Sequence, residues 1–378
     1  MADKRFRIPL TKPPVILEMI DGIKSVIDSG FLTEGEKSRE FERTVATYCG
    51  VNHAIVVPNA TIGLELALVA MRPMFGERNE IIVPGFTHPA TVLAILNAGL
   101  IPVVCDIDES TMLISIDSMS SGITNKTAGV MPVSLFGNPI DYSTLYDTIY
   151  DIDVDFFVVE DAACSLGSRN GDIQQRVGCH AHASVFSFHP RKIITLGEGG
   201  MVVTDNPHII EQIQALKNFK NLTCGHNVFR IGSNYRISDI QAAMGIVQMR
   251  HIEPIIRERR RIASIYDDLI DNLNGSADNS NHVSKQKIMD NTYHNVQTYC
   301  VTVERDRNAI MNKMRKNGIE AQVGSYAISE DPMFLVNPNC RILSCPVTQH
   351  VASCALSLPV YENMTESEII EVVEGLAL

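Results

Sequence analysis

The side chains best suited to chemistry come directly after short apolar runs of the sequence. Pro58-Asn59-Ala60-Thr61 follows the run Ala54–Val57 and precedes a helical pattern. Small residues and a hydroxyl at a helix N-terminus offer free backbone N–H groups and a favourable dipole, and together these bind anions. A helix cap formed by Asn59 or Thr61 alone is the alternative interpretation.

Two further runs end in ionisable side chains. Glu160-Asp161 follows Phe156–Val159, and a carboxylate that ends a buried strand is costly unless it has a partner. Capping of a following helix is the alternative role for Asp161. Lys192 comes four residues after the run Ala183–Phe188, where a partly desolvated amine is suited to bond with a carbonyl compound. A plain surface position is the alternative for this lysine.

Together these strand ends predict a phosphate cradle, a buried acid and an amine at one edge of a sheet. That set suits pyridoxal 5′-phosphate, whose aldehyde bonds to a lysine and whose ring nitrogen is kept protonated by a carboxylate. A helix N-terminus would bind the phosphate.

The elements that must position these groups are short apolar strands alternating with helical patterns. Continuous apolar runs indicate a mostly parallel sheet that is covered by helices on both faces. Ligands bind such sheets at the carboxyl ends of the strands. At the N-terminus, apolar residues from Ile16 to Ile27 recur at helical spacing, and Gly30 predicts the end of that helix.

The pattern changes after Asp239, so we predict two domains, residues 1–250 and 251–378. The second contains a strand near Gln297–Val303 and a helix near Arg307–Lys316. Thr365 and Glu368 predict a capping box that opens a last helix. The mostly polar stretch from residue 274 to 284 predicts a loop.

Composition excludes several classes of protein. The 378 residues include 32 Lys and Arg and 44 Asp and Glu, a net charge of −12, so a nucleic-acid-binding surface is not expected. No apolar stretch predicts a membrane span or a secretory signal. Nine scattered cysteines without a CxxC motif indicate reduced thiols and a cytoplasmic protein.

Two other clusters carry weaker signals. Cys179-His180-Ala181-His182 lacks the spacing of a structural zinc site, and we predict no metal. The arginines at 257 and 259–261 predict a solvated helix face with Glu253 and Glu258 nearby.

Longer motifs, by their order and spacing, indicate a resemblance to a known protein family. The sequence resembles the DegT/DnrJ/EryC1/StrS family of sugar aminotransferases over nearly its whole length. The motifs that carry the resemblance are Ser29–Gly35, Val83–Thr91, Pro102–Asp106, Glu160–Ala163, Ser187–His189 with Lys192, Gly197–Gly200, Asn234–Arg236 and Gln241–Ala243. The resemblance implies an α/β protein of fold type I, with a large, mostly parallel seven-stranded sheet, helices on both faces and a smaller C-terminal α/β domain.

The resemblance also implies residue roles. Lys192 matches the lysine that bonds to pyridoxal 5′-phosphate and moves the proton, and Asp161 matches the partner of the ring nitrogen. Ala60, Thr61 and Ser187 match phosphate-binding positions. His88 stands where the family usually has an aromatic side chain stacked on the ring, and Cys164 stands where many members have Gln near the 3-hydroxyl. Asn234 matches an asparagine that reaches the phosphate of the neighbouring subunit, which implies a homodimer with shared sites.

L-Glutamate is the amino donor that the resemblance implies, and a nucleotide-linked keto sugar is the acceptor. The stretch Gly318–Tyr326 is similar to the subgroup that acts at C4 of dTDP-4-keto-6-deoxyhexoses, although Ser329 stands where that subgroup often has His. GDP- and UDP-linked 4-keto sugars and 3-keto sugars stay open as acceptors, for instance in making the amino sugars of lipopolysaccharide O-antigen. A sugar dehydratase and a non-catalytic regulatory protein are the rivals. The dehydratases have histidine in place of the lysine, so Lys192 favours an aminotransferase.

Overall fold

The computed structural model describes residues 6–14, 16–151, 156–171, 175–220, 222–224, 227–276 and 281–377. The strands of its central sheet are β1 His53–Val57, β2 Glu80–Pro84, β4 Ile101–Cys105, β5 Thr127–Val130, β6 Phe157–Asp161, β9 Ala183–Ser187, β10 Gly200–Thr204 and β17 Arg341–Ile342. Their order across the sheet is β1-β10-β9-β6-β5-β2-β4-β17. Only the β1–β10 and β10–β9 pairs are antiparallel, so the prediction of a mostly parallel sheet is confirmed.

Helices cover the central sheet and the C-terminal part of the chain, and they follow most of the central strands. They are α1 Glu18–Ser29, α2 Glu36–Cys49, α3 Ala60–Met71, α4 Pro89–Asn97, α5 Ile116–Ser121, α6 Tyr142–Asp151, α7 Pro207–Lys217, α8 Asp239–Gly275, α9 Arg307–Lys316, α10 Pro332–Leu335, α11 Pro346–Cys354 and α12 Glu366–Glu374. Three short 3-10 turns complete the helical segments of the described chain, at Arg72–Phe75, Leu135–Gly137 and Ile328–Glu330.

Side chains of successive strand residues enter different cores, because strand side chains alternate between the two faces of a sheet. Along β1, Ile55 and Val57 join the apolar cluster that contains residues of α3, α4 and α7. Val56 joins the opposite cluster, with residues of α2 and α8. Both faces are therefore buried, and this explains why the strands read as continuous apolar runs.

A second, four-stranded sheet lies in the C-terminal part of the chain, with the order β13-β14-β18-β15. Its strands are β13 Val283–Lys285, β14 Tyr299–Val303, β15 Gln322–Val323 and β18 Ala355–Leu358. The capping box of Thr365 and Glu368 opens α12 as predicted. Of the predicted loop at 274–284, residues 277–280 lie outside the described chain, and residues 283 and 284 belong to β13.

Three pairs of short strands join parts of the chain outside these sheets. They are β3 Phe86–Thr87 with β16 Tyr326–Ala327, β7 Arg169–Asn170 with β8 Gln175–Arg176, and β11 Leu222–Cys224 with β12 Asn227–Arg230. The β3–β16 pair links the region after β2 to the C-terminal part of the chain.

The predicted boundary between the two domains does not fall in a loop. Residue 250, the predicted domain boundary, lies inside the continuous helix α8. Further on, β17 returns to the central sheet as its eighth strand and pairs in parallel with β4. The resemblance implies a seven-stranded sheet, and the sheet has an eighth strand, the two-residue β17, from the region that we assigned to the second domain.

The first helix forms as predicted and ends at Gly30, whose backbone is left-handed. Its apolar stripe, however, is only partly covered. Val26 is buried, whereas Ile20 and Ile27 are exposed.

The arginine run of α8 departs from the prediction of a solvated face. Arg261 does pair with Glu258 at the surface. Arg259 is instead fully buried, and its Nε donates to the Glu362 carboxylate at 2.6 Å. The prediction was wrong for this residue because its partner comes about a hundred positions later in the chain, where local charge patterning gives no signal.

Within the described chain, no helix combines the length and the apolar character that crossing a bilayer requires. Eight of the nine cysteines have described side chains, and all eight are free thiols.

Candidate active site

A cleft of about 740 Å³ opens at the carboxyl ends of the central strands, between the two sheets. Seven of the eight predicted site residues line it: Ala60, Thr61, His88, Asp161, Cys164, Ser187 and Lys192. The cleft lies where parallel sheets bind their ligands. Strand ends that are far apart in the sequence therefore meet here, as predicted.

The N-terminus of α3 forms one wall of the cleft. Asn59 caps this helix, because its side-chain oxygen accepts from the backbone N–H of Ile62 at 2.9 Å. The N–H groups of Ala60 and Thr61 precede the first intrahelical bond and stay available for an anion. The cap and the anion site are thus complementary parts of one turn.

Gly200 of β10 allows this turn to lie against the sheet. A Cβ atom added there would come within 2.7 Å of the Asn59 carbonyl carbon and 2.9 Å of the Ala60 nitrogen. Ser187 ends the neighbouring strand β9, and its hydroxyl accepts from the backbone of His189. Two N–H groups and the hydroxyls of Thr61 and Ser187 therefore line the same cleft, a donor set that fits a phosphate.

Asp161 ends β6 and is almost completely buried. Its Oδ2 atom accepts from the Thr91 hydroxyl at 2.8 Å, and its Oδ1 atom accepts from the Ala163 N–H at 3.1 Å. No helix begins between Asp161 and Arg169 in the described chain, so the alternative of a helix cap is wrong. The carboxylate instead faces the cleft, where it can hold a proton on a basic ring nitrogen.

Lys192 also lies in the cleft, half-buried rather than on the open surface. Its Nζ atom donates to the Cys164 sulfur at 3.0 Å. The backbone around it is fixed by Gln297, which donates to the Arg191 carbonyl at 2.6 Å and accepts from the Ile193 N–H at 2.9 Å. These two hydrogen bonds fix the backbone on both sides of Lys192 and so determine where its side chain begins.

His88 begins α4 as its N-terminal cap, with Nδ1 accepting from the Ala90 N–H at 3.2 Å. Its ring meets Tyr326 edge-on at 5.7 Å between centroids. Burial, together with the nearby Lys192 charge, lowers the pKa of His88, so the imidazole is neutral at neutral pH. A neutral flat ring in this position can stack on an aromatic cofactor.

Asn234 is the one predicted site residue that does not line the cleft of its own chain. It is exposed, and its side-chain oxygen accepts from Arg236 Nε at 2.7 Å. Ser329 is buried outside the cleft lining.

Several groups of the site were missed from the sequence. Thr91 fixes Asp161, and the Thr87 hydroxyl lies 2.9 Å from the Thr91 hydroxyl. Thr91 ends the motif Val83–Thr91. The signal in the sequence that could have indicated it is the spacing of Thr87 and Thr91, which is one helical turn at the start of a helix. Gln297, which clamps the lysine loop, carries no such signal, because it lies more than a hundred positions after Arg191.

The cleft unites a lysine, a buried carboxylate and a helix N-terminus lined by N–H and hydroxyl groups on a mostly parallel sheet, a combination typical of fold type I transferases that use pyridoxal 5′-phosphate. The family model of the DegT/DnrJ/EryC1/StrS aminotransferases matches residues 16–377. The chain therefore belongs to the DegT/DnrJ/EryC1/StrS aminotransferase family.

Individual relatives agree with this assignment. The chain is 30% identical over 373 residues to the GDP-perosamine synthase of Escherichia coli O157:H7, covering 98% of this chain and 97% of that protein. It is similar to the crystal structure of DesI in the presence of its TDP-sugar product, with a TM-score of 0.87, 28% identity and coverage of 99% and 93%.

A third match shows what the fold alone leaves open. The structure of an Escherichia coli GDP-4-keto-6-deoxy-D-mannose-3-dehydratase with hydrated PLP is 21% identical, with a TM-score of 0.87 and coverage of 98% and 99%. Aminotransferases and a dehydratase thus share this fold, and the residues of the cleft must distinguish them.

Proposed function

We propose that the protein transfers the amino group of L-glutamate to C4 of a nucleotide-linked 4-keto-6-deoxyhexose, with dTDP as the nucleotide. The observation that carries this proposal is Lys192 in the same cleft as Asp161 and the α3 N-terminus. A dehydratase of this fold would have histidine at the lysine position, and a regulatory protein would not need a complete lysine–carboxylate pair.

Pyridoxal 5′-phosphate is the cofactor, and when bound it supplies the electron sink that stabilises negative charge at the reacting carbon. Lys192 would hold it covalently, and then add and remove the proton at one carbon in each half of the reaction. Asp161, oriented by Thr91 and the Ala163 N–H, would keep the ring nitrogen charged. Ala60, Thr61 and Ser187 would bind the phosphate.

A GDP-linked 4-keto sugar is the second candidate acceptor. The 30% identity to a GDP-perosamine synthase favours it, whereas the stretch Gly318–Tyr326 favours dTDP. Purified enzyme with L-glutamate and either dTDP- or GDP-4-keto-6-deoxyhexose separates the two, with the amino sugar detected by mass spectrometry. We expect at least tenfold faster turnover with the dTDP sugar. No amino sugar from either substrate, under conditions where the enzyme holds its cofactor, would refute the proposal.

We also propose that two copies form a homodimer with shared sites. Exposed large apolar side chains cluster on α1 and the segment after it, and on the region next to Asn234: Leu17, Ile20, Ile27, Phe31, Leu32, Phe219 and Ile231. The bridge between Thr33 and Ser238 brings these two segments together. A patch of this kind is unusual on a monomer and is typical of an interface.

Mixing variants tests the shared site. Asn234→Ala subunits keep Lys192, and Lys192→Ala subunits keep Asn234, so a heterodimer with sites built from both chains has one intact site. We expect each variant alone to be impaired and activity to return on mixing. Gln214→Ala, an exposed substitution on α7 that does not line the cleft, is the control and should behave as wild type. No recovery despite demonstrated subunit exchange would contradict the composite site.

A cytoplasmic location is part of the same proposal. The predicted reduced thiols support it, since eight described cysteines are free.

A further inference from the structure

The cleft contains a second cation whose role the proposed function leaves unassigned. Arg191 precedes Lys192 in the chain and lines the same cleft. The four charged side chains of the lining are Arg191, Lys192, Asp161 and Glu198. Lys192 is assigned to the cofactor and Asp161 to its ring nitrogen. Among the described residues that line the cleft, Arg191 is therefore the cation that stays available to a substrate.

The guanidinium of Arg191 is exposed, and within the described chain it makes no ion pair with a carboxylate. Its side chain makes a hydrogen bond from Nη1 to Gln322 Oε1 at 2.9 Å, and this amide oxygen on β15 is a neutral acceptor. A guanidinium has five N–H donors, so most of them stay available. Their planar fork matches a carboxylate in a two-point contact.

The backbone at Arg191 is fixed in the same way as the reacting lysine. Gln297 donates to the Arg191 carbonyl, and the Arg191 N–H donates to His189 Nδ1 at 3.3 Å. Burial lowers the pKa of His189, so this imidazole is neutral at neutral pH and can accept that bond. Arg191 is therefore a positioned side chain on a defined loop.

We propose that Arg191 binds a carboxylate of the amino donor, which makes it the residue that selects L-glutamate. This inference rests on the proposed function, because it names the group that recognises the first substrate. The donor's nitrogen must reach the cofactor at Lys192, and consecutive Cα atoms are only about 3.8 Å apart. Arg191 and Lys192 also line the same cleft, so a carboxylate of a short donor that reacts at Lys192 can reach Arg191, whereas the diphosphate of a sugar nucleotide is a whole hexose ring away from a keto group at C4.

The first arm of the test is the half reaction of the cofactor-loaded enzyme with L-glutamate alone. Loss of the yellow colour is followed against glutamate concentration, giving an apparent Kd and a maximum rate. A hydrogen bond to a charged group contributes about 1.5–3 kcal/mol, so Arg191→Gln should raise the apparent Kd at least tenfold. The maximum rate should stay within about threefold, since the reacting groups are untouched.

Two further variants calibrate that result. Arg191→Lys keeps the charge but loses the planar fork, so its apparent Kd should lie between those of wild type and Arg191→Gln. Arg257→Gln removes an exposed arginine of α8 that does not line the cleft, and it should behave as wild type.

The second arm measures binding without turnover. Glutarate carries both carboxylates but no amine, and calorimetry gives its Kd for each loaded enzyme. We expect Arg191→Gln to weaken glutarate binding at least tenfold. The Kd of dTDP, the nucleoside diphosphate of the proposed acceptor, should stay unchanged. Unchanged affinity for glutamate and glutarate would overturn the proposal, as would a loss confined to the nucleoside diphosphate.

The two arms distinguish failure of this inference from failure of the proposed function. If wild type binds glutarate through Arg191 but never loses its colour with L-glutamate, Arg191 is a carboxylate site and L-glutamate is not the donor. If wild type reacts with L-glutamate and Arg191→Gln does so with the same apparent Kd, the donor is correct and the role of Arg191 is wrong.

Discussion

Glu160 and Asp161 are neighbouring carboxylates at the end of one strand, and they lie in two different regions. Asp161 faces the cleft, whereas Glu160 is fully buried and is not among the residues that line the cleft. Alternation along β6 puts the two side chains on different faces of the sheet. The same functional group thus has two roles, and the face of the strand determines which one it has.

The surroundings of Glu160 are those of a structural residue. The hydroxyls of Ser134 and Ser184 donate to its two oxygens. Burial raises the pKa of Glu160, and these hydrogen bonds only partly offset that effect. Burial raises the pKa of Tyr142, and the nearby Glu160 charge adds to this effect. Asp161, in contrast, is held by Thr91 and a backbone N–H while its face toward the cleft stays available to a ligand.

Asp161→Asn should break the function and spare the fold. The amide keeps the shape but loses the charge that holds a proton on the ring nitrogen. A nearby opposite charge shifts a pKa by about one to three units, and one unit corresponds to about tenfold in rate. We expect at least a tenfold loss of turnover with a melting temperature close to that of wild type. An unimpaired enzyme would show that this carboxylate has no role in catalysis.

Thr91→Val sharpens the comparison within the cleft face. Valine keeps the volume but removes the donor to Asp161, and a hydrogen bond contributes about 1 kcal/mol, which corresponds to roughly fivefold in turnover. Thr87→Val is the control, because Thr87 contacts Thr91 rather than Asp161 and should have a smaller effect. Equal losses in both variants would mean that the effect comes from packing.

Glu160→Gln tests the other face and should change stability rather than turnover. Because the pKa of Glu160 is raised in the folded protein, its ionisation costs stability as pH rises through that pKa. The glutamine variant lacks this cost. Its melting temperature relative to wild type should therefore rise as the pH increases above about 4.5, the ordinary pKa of a glutamate, while turnover stays within about twofold. A tenfold loss of turnover would place Glu160 in the catalytic machinery.

The comparison also shows how far the sequence predicts this molecule. Apolar runs located the central strands. Asp161, Lys192 and the cradle at Ala60 were then found because ligands bind parallel sheets at the carboxyl ends of the strands. It could not separate Glu160 from Asp161 by residue type. Nor could local patterns find the two-residue strand β17 or the burial of Arg259, because their partners come from distant parts of the chain.

The most direct test of the account is to locate the covalent bond to the cofactor. Borohydride reduction of the purified yellow enzyme, followed by peptide mass spectrometry, should bleach the colour and place the pyridoxyl group on Lys192 alone. Lys192→Ala should fold, acquire no label and lose transamination. A label on another lysine, or wild-type turnover by Lys192→Ala, would contradict the assignment of this cleft as the active site.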